Sequence, residues 1–329
     1  MGETPVTVPG RGPGLDFGPG PAHERRKRAS LTRTRARAGW IFLALPLAFI
    51  AVVTLAPIGY AVFLSFSNVS LTTNGFQAIF NGLANYAIIF QSGQWWQALR
   101  FTVGYAIVTV VVEVILGMLM ALTLNALIRG RGMAMAILLL PWSLITVVSA
   151  EVWSYLYNAS YGLIDYLLVT LHITQNAVNW LGSPLLAMTA VAIADIWKTT
   201  PFVALILVAG LKGIDPSIYE AAQLDGAGRL GTFFRVTLPL LRSSLLVAVL
   251  FRVLQSFGLF DLPFVLTQGG PGTSTQPLAM LAYRAMFSNF EFGPGSGVAV
   301  LTVAAVLLVS VLFIRGLGVR LGGGDENAG

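Results

Sequence analysis

Residues 40–66 read WIFLALPLAFIAVVTLAPIGYAVFLSF, an apolar segment that contains no charged side chain. A helix of this length extends about 40 Å, which exceeds the roughly 30 Å hydrocarbon core of a bilayer. Five further apolar segments follow it, at about 101–127, 133–157, 185–211, 243–266 and 298–317. The segments therefore predict an all-α integral membrane protein with six transmembrane helices.

The composition of the whole chain agrees with a membrane protein. Of the 329 residues, 56% are apolar and 10% are charged, whereas soluble domains carry about 25% charged residues. The chain has no cysteine and only two histidines, so no disulfide, thiolate site or histidine-based zinc site is expected. None of its three lysines stands in the Gly-Lys-Ser/Thr context of a P-loop. We therefore expect no enzymatic site, no metal and no cofactor in this chain.

Lys and Arg residues accumulate on one side of the six predicted spans. Residues 1–37 carry eight, the 128–132 turn two, the 212–242 segment four and the C-terminal end two, which is sixteen of the twenty in the chain. Such a bias marks cytoplasmic loops, so both termini are predicted to be cytoplasmic. Because the basic residues line a membrane and do not form one folded basic face, no nucleic-acid partner is expected.

The same layout divides the chain into three parts. Residues 1–37 are rich in Gly and Pro and then basic, without apolar periodicity, which predicts a disordered cytoplasmic tail. Residues 38–320 form the transmembrane domain, and residues 321–329 form a C-terminal tail.

The connection 212–242 is the one long cytoplasmic loop, and it carries its own helix signals. Asp215 can cap a helix that starts at Pro216; alternatively, Ser217 and Glu220 form a capping box. Gly226 then stops this helix, and a second short helix is predicted at about 230–237. The loop is either an amphipathic elbow at the membrane surface or a docking element for a cytoplasmic partner.

The segment 220–239 resembles the signature loop of membrane subunits of binding-protein-dependent ABC importers. That pattern reads Glu-Ala-Ala, three residues, Gly, nine residues, Ile, one residue, Leu-Pro. The matching residues here are Glu220, Ala221, Ala222, Gly226, Leu238 and Pro239, with Asp225 directly before the glycine. The only departure is Val236 in the position of Ile.

A second set of motifs resembles the carbohydrate-importing branch of that family, the maltose and glycerol-phosphate type. The set comprises the sequence TQGGP at 267–271, the segment 283–287, and the sequence FGPGS at 292–296. With the six-span layout, the resemblance covers residues 40–317 and implies the ABC importer permease fold. Longer relatives have extra N-terminal spans and a large external insert, which this sequence lacks.

The resemblance also implies a location and a set of partners. It implies a multi-pass protein of the bacterial plasma (inner) membrane that works with a second, homologous permease chain and a cytoplasmic ATPase dimer. ATP and magnesium would be held by the ATPase, and an extracytoplasmic sugar-binding protein would deliver substrate to the loops 67–97 and 267–297. The implied substrate is a small carbohydrate, a disaccharide or oligosaccharide such as trehalose or maltose, moved by alternating access. In that family the helix at Glu220 inserts into a cleft of the ATPase, and Gly226 allows the tight turn after it.

Six ionisable residues fall within the predicted spans or at their ends: Glu113, Glu151, Asp195, Lys198, Arg252 and Asp261. Each costs about 2.5–3.5 kcal/mol at mid-bilayer on insertion scales, so each needs a partner, water or a ligand. Asp195 and Lys198 are three residues apart and could neutralise each other or line a cavity. Pro201 follows closely, which predicts a break in this helix beside the polar residues.

The predicted fifth span carries a polar face, since Arg252, Gln255, Ser256 and Leu259 recur at helical spacing. Aromatic rings nearby, such as Phe260, could cover the apolar faces of a sugar. Similarity to the maltose-type permease places ligand contacts at Lys198, Thr199, Phe202, Arg252, Gln255, Ser256 and Leu259. Alternatively, Arg252 and Gln255 pair with the neighbouring subunit.

Two other transport functions stay open at this level. One is a secondary transporter driven by protons or sodium through Glu113, Glu151 and Asp195, although the sequence contains no convincing internal repeat. The other keeps the importer class but changes its cargo to a phosphorylated polyol or a peptide, because Lys198 and Arg252 would suit an anion.

Overall fold

The computed structural model describes residues 22–72 and 75–317, and these residues are mostly helical. The elements in chain order are α1 (Ala22–Ser65), β1 (Ser67–Thr72), β2 (Gly75–Phe80), α2 (Ala84–Gln91), α3 (Gly93–Ala126), α4 (Arg131–Ser143), α5 (Thr146–Leu156), α6 (Leu163–Thr170), α7 (Pro184–Lys212), α8 (Pro216–Leu224), α9 (Arg229–Thr232), α10 (Leu238–Leu240), α11 (Arg242–Phe257), α12 (Asp261–Leu266), α13 (Leu278–Tyr283) and α14 (Phe292–Leu317). Two π-helical turns, Phe233–Thr237 and Arg284–Ser288, follow α9 and α13.

The chain falls into two units that divide after Tyr60, and the first unit holds most of α1. This helix begins at Ala22 and runs through the basic segment, whose Ala and Arg residues favour helix. The predicted tail 1–37 therefore overlaps α1 at residues 22–37, and its disorder stays a prediction. Residues 1–21 and the predicted tail 321–329 lie outside the described residues.

Candidate membrane spans take two forms within the described residues. Four helical segments are individually long and apolar enough to cross a bilayer: Phe42–Ser65 of α1, α3, α7 and Phe292–Arg315 of α14. Two further candidates are bent helix pairs, α4 with α5 at 89° and the segment Arg229–Leu240 with α11 at 67°. The first pair covers the predicted third span 133–157, whereas the second pair begins inside the loop 212–242 and ends at Phe257, before the end of the predicted fifth span 243–266.

Prolines explain where the predicted third and fifth spans are interrupted. Pro141 lies in the last turn of α4, and Leu144 after it is extended. Pro263 lies in the first turn of α12, where it lacks the N–H that would bond the carbonyl of Leu259. The predicted unbroken helix over 243–266 is therefore wrong, because α11 ends at Phe257 and a new helix starts at Asp261.

The segment 67–97, which the sequence predicts only as an outer loop, begins with a two-stranded hairpin. Strands β1 and β2 pair antiparallel, with Ser67 opposite Phe80 and Thr72 opposite Gly75. The buried side chain of Asn85 donates hydrogen bonds to the carbonyls of Ser65 and Ser67, both at 2.9 Å. This contact fixes the hairpin to the end of the preceding helix.

Helices α3 and α7 form the centre of the second unit, and small residues let them approach closely. A Cβ atom at Gly117 of α3 would lie 2.7 Å from Cγ1 of Val203 on α7. On the other side of α7, Gly210 packs against Ser244 and Leu241 at the start of α11. Such close crossings are typical of membrane helices, whose association depends on van der Waals packing.

The predicted break in the fourth span is also wrong, since α7 is continuous from Pro184 to Lys212 and includes Pro201. The proline leaves the carbonyl of Trp197 without its helical donor, and the hydroxyl of Thr200 adds a hydrogen bond to the preceding carbonyl, that of Ile196, at 2.6 Å. Packing on α3 and α11 then holds the helix straight enough to continue through the missing bond.

The loop 212–242 folds as the sequence predicted. The carboxylate of Asp215 accepts a hydrogen bond from the Ser217 N–H at 2.9 Å, so Asp215 is the cap of α8. The hydrogen bond from Ser217 lowers the pKa of the Asp215 carboxyl below its usual value, because the bond favours the ionised form. Gly226 adopts φ of 77°, a left-handed conformation that favours glycine, and the second short helix is α9 with its π-helical turn.

Candidate functional site

A buried ion pair network joins three helices at the centre of the second unit. The guanidinium of Arg252 on α11 binds Glu113 on α3 through Nε and Nη2, the latter at 2.7 Å from Oε1. The same Nη2 lies 3.0 Å from Oδ2 of Asp195 on α7. Arg252 is 2% exposed and Glu113 is fully buried. The two carboxylates thus compensate one almost fully buried cation.

Neighbouring polar groups complete the network. The Tyr105 hydroxyl donates to Oδ2 of Asp195 at 2.8 Å, and the Thr199 hydroxyl lies 2.7 Å from Oε1 of Glu113. Nη1 of Arg252 donates to Oε1 of Gln255 at 2.6 Å, one helical turn further along α11. Since removal of one partner from a buried pair typically costs about 3–5 kcal/mol, this network fixes how α3, α7 and α11 pack.

The network corrects two interpretations of the sequence. Asp195 pairs with Arg252 and Tyr105, and no ion pair or hydrogen bond joins it to Lys198. Glu113 and Asp195 of the same chain occupy Arg252, so a neighbouring subunit is not needed to neutralise it. Neither contact could be predicted from local spacing, because Glu113 and Asp195 lie far from Arg252 along the chain.

A polar cavity of about 250 Å³ lies beside the network. Its lining comprises Trp142, Thr146, Asp195, Lys198, Thr199, Arg252, Gln255, Gly258, Leu259, Phe260, Asp261 and Leu262. The break between α11 and α12 contributes one wall, since residues 258–260 are not helical. The cavity therefore lies where irregular backbone and ionisable side chains meet.

Five of the seven predicted ligand contacts line this cavity, and two do not. Lys198, Thr199, Arg252, Gln255 and Leu259 belong to the lining. Ser256 is 1% exposed and faces the packed interior. Phe202 lies outside the lining and stacks on Trp142, which belongs to it, with ring centres 5.2 Å apart.

Sequence reasoning missed the contribution of α4 to this cavity. Trp142 and Thr146 reach it because α4 and α5 bend sharply between them. Pro141 directly before Trp142 was the available signal. Glu151 lies on the exposed surface of α5 and takes no part in the network or in the cavity lining.

The predicted coupling residues form an exposed surface on α8 and the turn after it. Ala222 is buried and attaches the helix to the rest of the loop, whereas Glu220, Ala221 and Asp225 are exposed. Leu224 on this helix is 89% exposed, which is unusual for a large apolar side chain. Leu238 and Pro239 follow the π-helical turn and begin α10.

The described residues contain no group of three or more metal-ligating side chains. The chemistry that this arrangement offers is hydrogen bonding and charge compensation around a cavity.

Comparison with known proteins defines the class. Residues 113–320 match the family model of the binding-protein-dependent transport system inner membrane component, and the chain belongs to this family. It is therefore the membrane subunit of an ABC transport system.

Individual relatives agree with this family. The chain is 41% identical to the trehalose/maltose transport system permease protein of Thermococcus litoralis over 72% of this chain and 79% of the relative. It is 34% identical to the trehalose transport system permease protein of Mycobacterium tuberculosis over 92% and 98%. It is also 34% identical to the sulfoquinovosyl glycerol transport system permease protein of Agrobacterium fabrum over 84% and 88%.

A solved structure confirms the fold. A chain of a bacterial alginate ABC transporter, crystallised with an alginate pentasaccharide-bound periplasmic protein, superposes with a TM-score of 0.74 at 19% identity. The match covers 86% of this chain and 94% of the other.

Proposed function

We propose that this chain is a membrane subunit of an ATP-driven importer of an uncharged carbohydrate, a disaccharide or oligosaccharide such as trehalose or maltose. The names of two relatives that match most of this chain support the substrate class. The accumulation of Lys and Arg on one side supports cytoplasmic termini in a bacterial plasma membrane.

One observation carries the proposal: the exposed signature helix α8 and the cavity-lining helix α11 are joined by a short helical segment. That segment, Arg229–Leu240, packs on α8 through its π-helical turn and ends one residue before α11. A force on α8 therefore reaches Arg252 and Gln255 through helical structure.

A cytoplasmic ATPase dimer is the proposed source of that force. Glu220 is exposed on α8 and available to a basic residue of the ATPase. When the ATPase dimer closes on ATP and magnesium, α8 moves and displaces α11. Because Arg252 joins α11 to α3 and α7, the three helices move together and alternate the access of the cavity between the two sides of the membrane.

The cavity supports a second permease chain. Its volume of about 250 Å³ lies below the roughly 300–1,000 Å³ of ordinary ligand pockets. A homologous partner with a facing half-cavity would enlarge it to hold a disaccharide. An extracytoplasmic binding protein would deliver the sugar to the outer loops, among them the hairpin β1–β2.

The charges around the cavity favour an uncharged sugar over the phosphorylated polyol. Its walls and the network behind them carry three carboxylates, Glu113, Asp195 and Asp261. Two cations, Arg252 and Lys198, oppose them. The balance leaves no excess of positive charge, so an anion gains no net attraction.

Uptake of radiolabelled trehalose and maltose tests the proposal, in cells that co-express the chain with its ATPase, second permease and binding protein. ATP depletion should stop uptake, and dissipation of proton and sodium gradients with ATP maintained should leave it unchanged. Uptake that follows the ion gradients would favour a secondary transporter.

A further inference from the structure

The side-chain amide of Gln255 has only one orientation that fits its partner. Its Oε1 accepts a hydrogen bond from Nη1 of Arg252 at 2.6 Å. Arginine carries five N–H donors and no acceptor, so an amide beside it must present its oxygen. The NH2 group of Gln255 is therefore turned away from Arg252, on a residue that lines the cavity.

Arg252 cannot rotate to release this amide. Its Nε and Nη2 atoms are held by Glu113, and Nη2 also binds Asp195. Charge-assisted hydrogen bonds of this kind are roughly twice as strong as neutral ones and fix the planar guanidinium. The direction of Gln255 is thus set by two carboxylates on two other helices.

The hydrogen bonds of the other polar groups in the cavity show which donors are left to bind a ligand. Thr199 directs its hydroxyl to Glu113, and Asp195 is occupied by Arg252 and Tyr105. Lys198 is half-buried and makes no hydrogen bond to any residue in the ranges 22–72 and 75–317. Nε2 of Gln255 likewise has no hydrogen-bond partner in those ranges.

We infer that Arg252 is a positioning residue, which holds Gln255 so that its NH2 group and the Lys198 ammonium recognise acceptor oxygen atoms of the transported sugar. This inference rests on the proposed function and refines the substrate site in it. Arg252 acts through Gln255, whereas the resemblance had implied a direct contact. Hydroxyl and ring oxygen atoms of an uncharged saccharide are acceptors of the required kind.

Gln255→Glu removes the NH2 donor of Gln255 and preserves the size of the side chain and its contact with Arg252. Glutamate has the same shape and still pairs with Arg252, but it has no NH2 group to offer. Leu254→Ala is the matched control, because Leu254 is the preceding residue of α11, is exposed and lies outside the cavity. Arg252→Lys is the second variant, since lysine keeps the charge but cannot bind both carboxylates and the amide.

The measurement is trehalose transported per ATP hydrolysed, in proteoliposomes that contain the whole complex and saturating binding protein. Trehalose uptake by the unaltered complex tests the proposed function first, and every variant is compared with it. Gln255→Glu should lower the ratio about five- to tenfold, the effect of one lost hydrogen bond. Arg252→Lys should lower it in the same direction, and Leu254→Ala should match the unaltered complex.

Two results would overturn the inference. One is a ratio for Gln255→Glu equal to that of the unaltered complex. The other is an equal fall for Gln255→Glu and Leu254→Ala, which would show a general effect on α11. Because the unaltered complex is measured separately, either result leaves the proposed import function standing.

Discussion

Nη2 of Arg252 lies 2.7 Å from Oε1 of Glu113, although 139 positions separate the two residues in the chain. Together with Asp195, this pair ties α11 to α3 and α7 inside the membrane domain. A motion that starts at α8 and reaches α11 must therefore carry three helices with it. The same pair sets the direction of the amide that faces the cavity.

Arg252→Met should destabilise the membrane domain strongly. The change leaves Glu113 and Asp195 buried without their cation, which typically costs about 3–5 kcal/mol. The melting temperature of the purified complex is the measurement. Arg242→Met is the matched control, because Arg242 is exposed at the start of the same helix. Equal melting temperatures for the two variants would contradict the role of the buried pair.

Addition of Glu113→Gln to Arg252→Met should recover part of that loss, because one unpaired carboxylate is removed. The double variant should melt above Arg252→Met and below the unaltered complex. A double variant that is less stable than Arg252→Met alone would contradict the view that the unpaired Glu113 carboxylate causes the loss.

Gly117→Ala should destabilise the chain, and Gly104→Ala should not, although both glycines lie in α3. A Cβ at Gly117 would meet Val203 at 2.7 Å, whereas nothing lies within 4 Å of a Cβ at Gly104. Overpacking of this kind typically costs about 1–3 kcal/mol. Thermal melting of the two variants checks the difference. Val203→Ala should restore part of the stability of Gly117→Ala, because it removes the nearest contact and leaves those with Cβ of residue 203 at 3.0 Å and the Ala204 nitrogen at 3.2 Å.

Asp215→Ala should loosen α8, because Ser217 loses its capping acceptor. Hydrogen exchange of the first amides of α8 should become faster than in the unaltered protein. Asp215→Asn should stay close to the unaltered protein, since asparagine also caps helices. Similar exchange in the alanine and asparagine variants would show that the cap does not stabilise this helix.

Local signals in the sequence were sufficient for the parts of the fold that form locally. Asp215, Pro216 and Gly226 set the bounds of α8, and the observed helix agrees with them. The hairpin was missed although Asn-Gly, found at 74–75, is a sequence signal for hairpins; in the observed register Gly75 pairs with Thr72 and begins β2. The bends between α4 and α5 and between α11 and α12 could not be predicted from apolar composition, because the composition is the same on either side of each break.

The candidate site, in contrast, depends on contacts between residues that are distant in the sequence. The sequence identified Arg252 and Asp195 as residues that need partners, and it could not say which partners they have. Asp195 has a nearby cation in Lys198, yet it pairs with Arg252 on another helix because α7 and α11 pack together. Such a choice depends on tertiary packing and cannot be obtained from spacing along one helix.

Glu220→Lys should abolish ATP-driven uptake without loss of the folded subunit, because Glu220 is exposed on α8. Lys212→Glu is the matched charge reversal, at the end of α7 and outside the signature segment. Since the chain has no cysteine, Ala221→Cys also provides a single site for cross-linking. The cysteine of Ala221→Cys should cross-link to the ATPase subunit, and addition of Glu220→Lys should reduce the amount of cross-linked complex.

The most direct test of the account is trehalose accumulation in proteoliposomes that hold this chain, its partner permease and its ATPase, with binding protein outside and ATP inside. The account predicts accumulation that requires hydrolysable ATP, persists with ionophores and is lost in Glu220→Lys. Accumulation by this chain without the ATPase, or normal accumulation by Glu220→Lys, would contradict it.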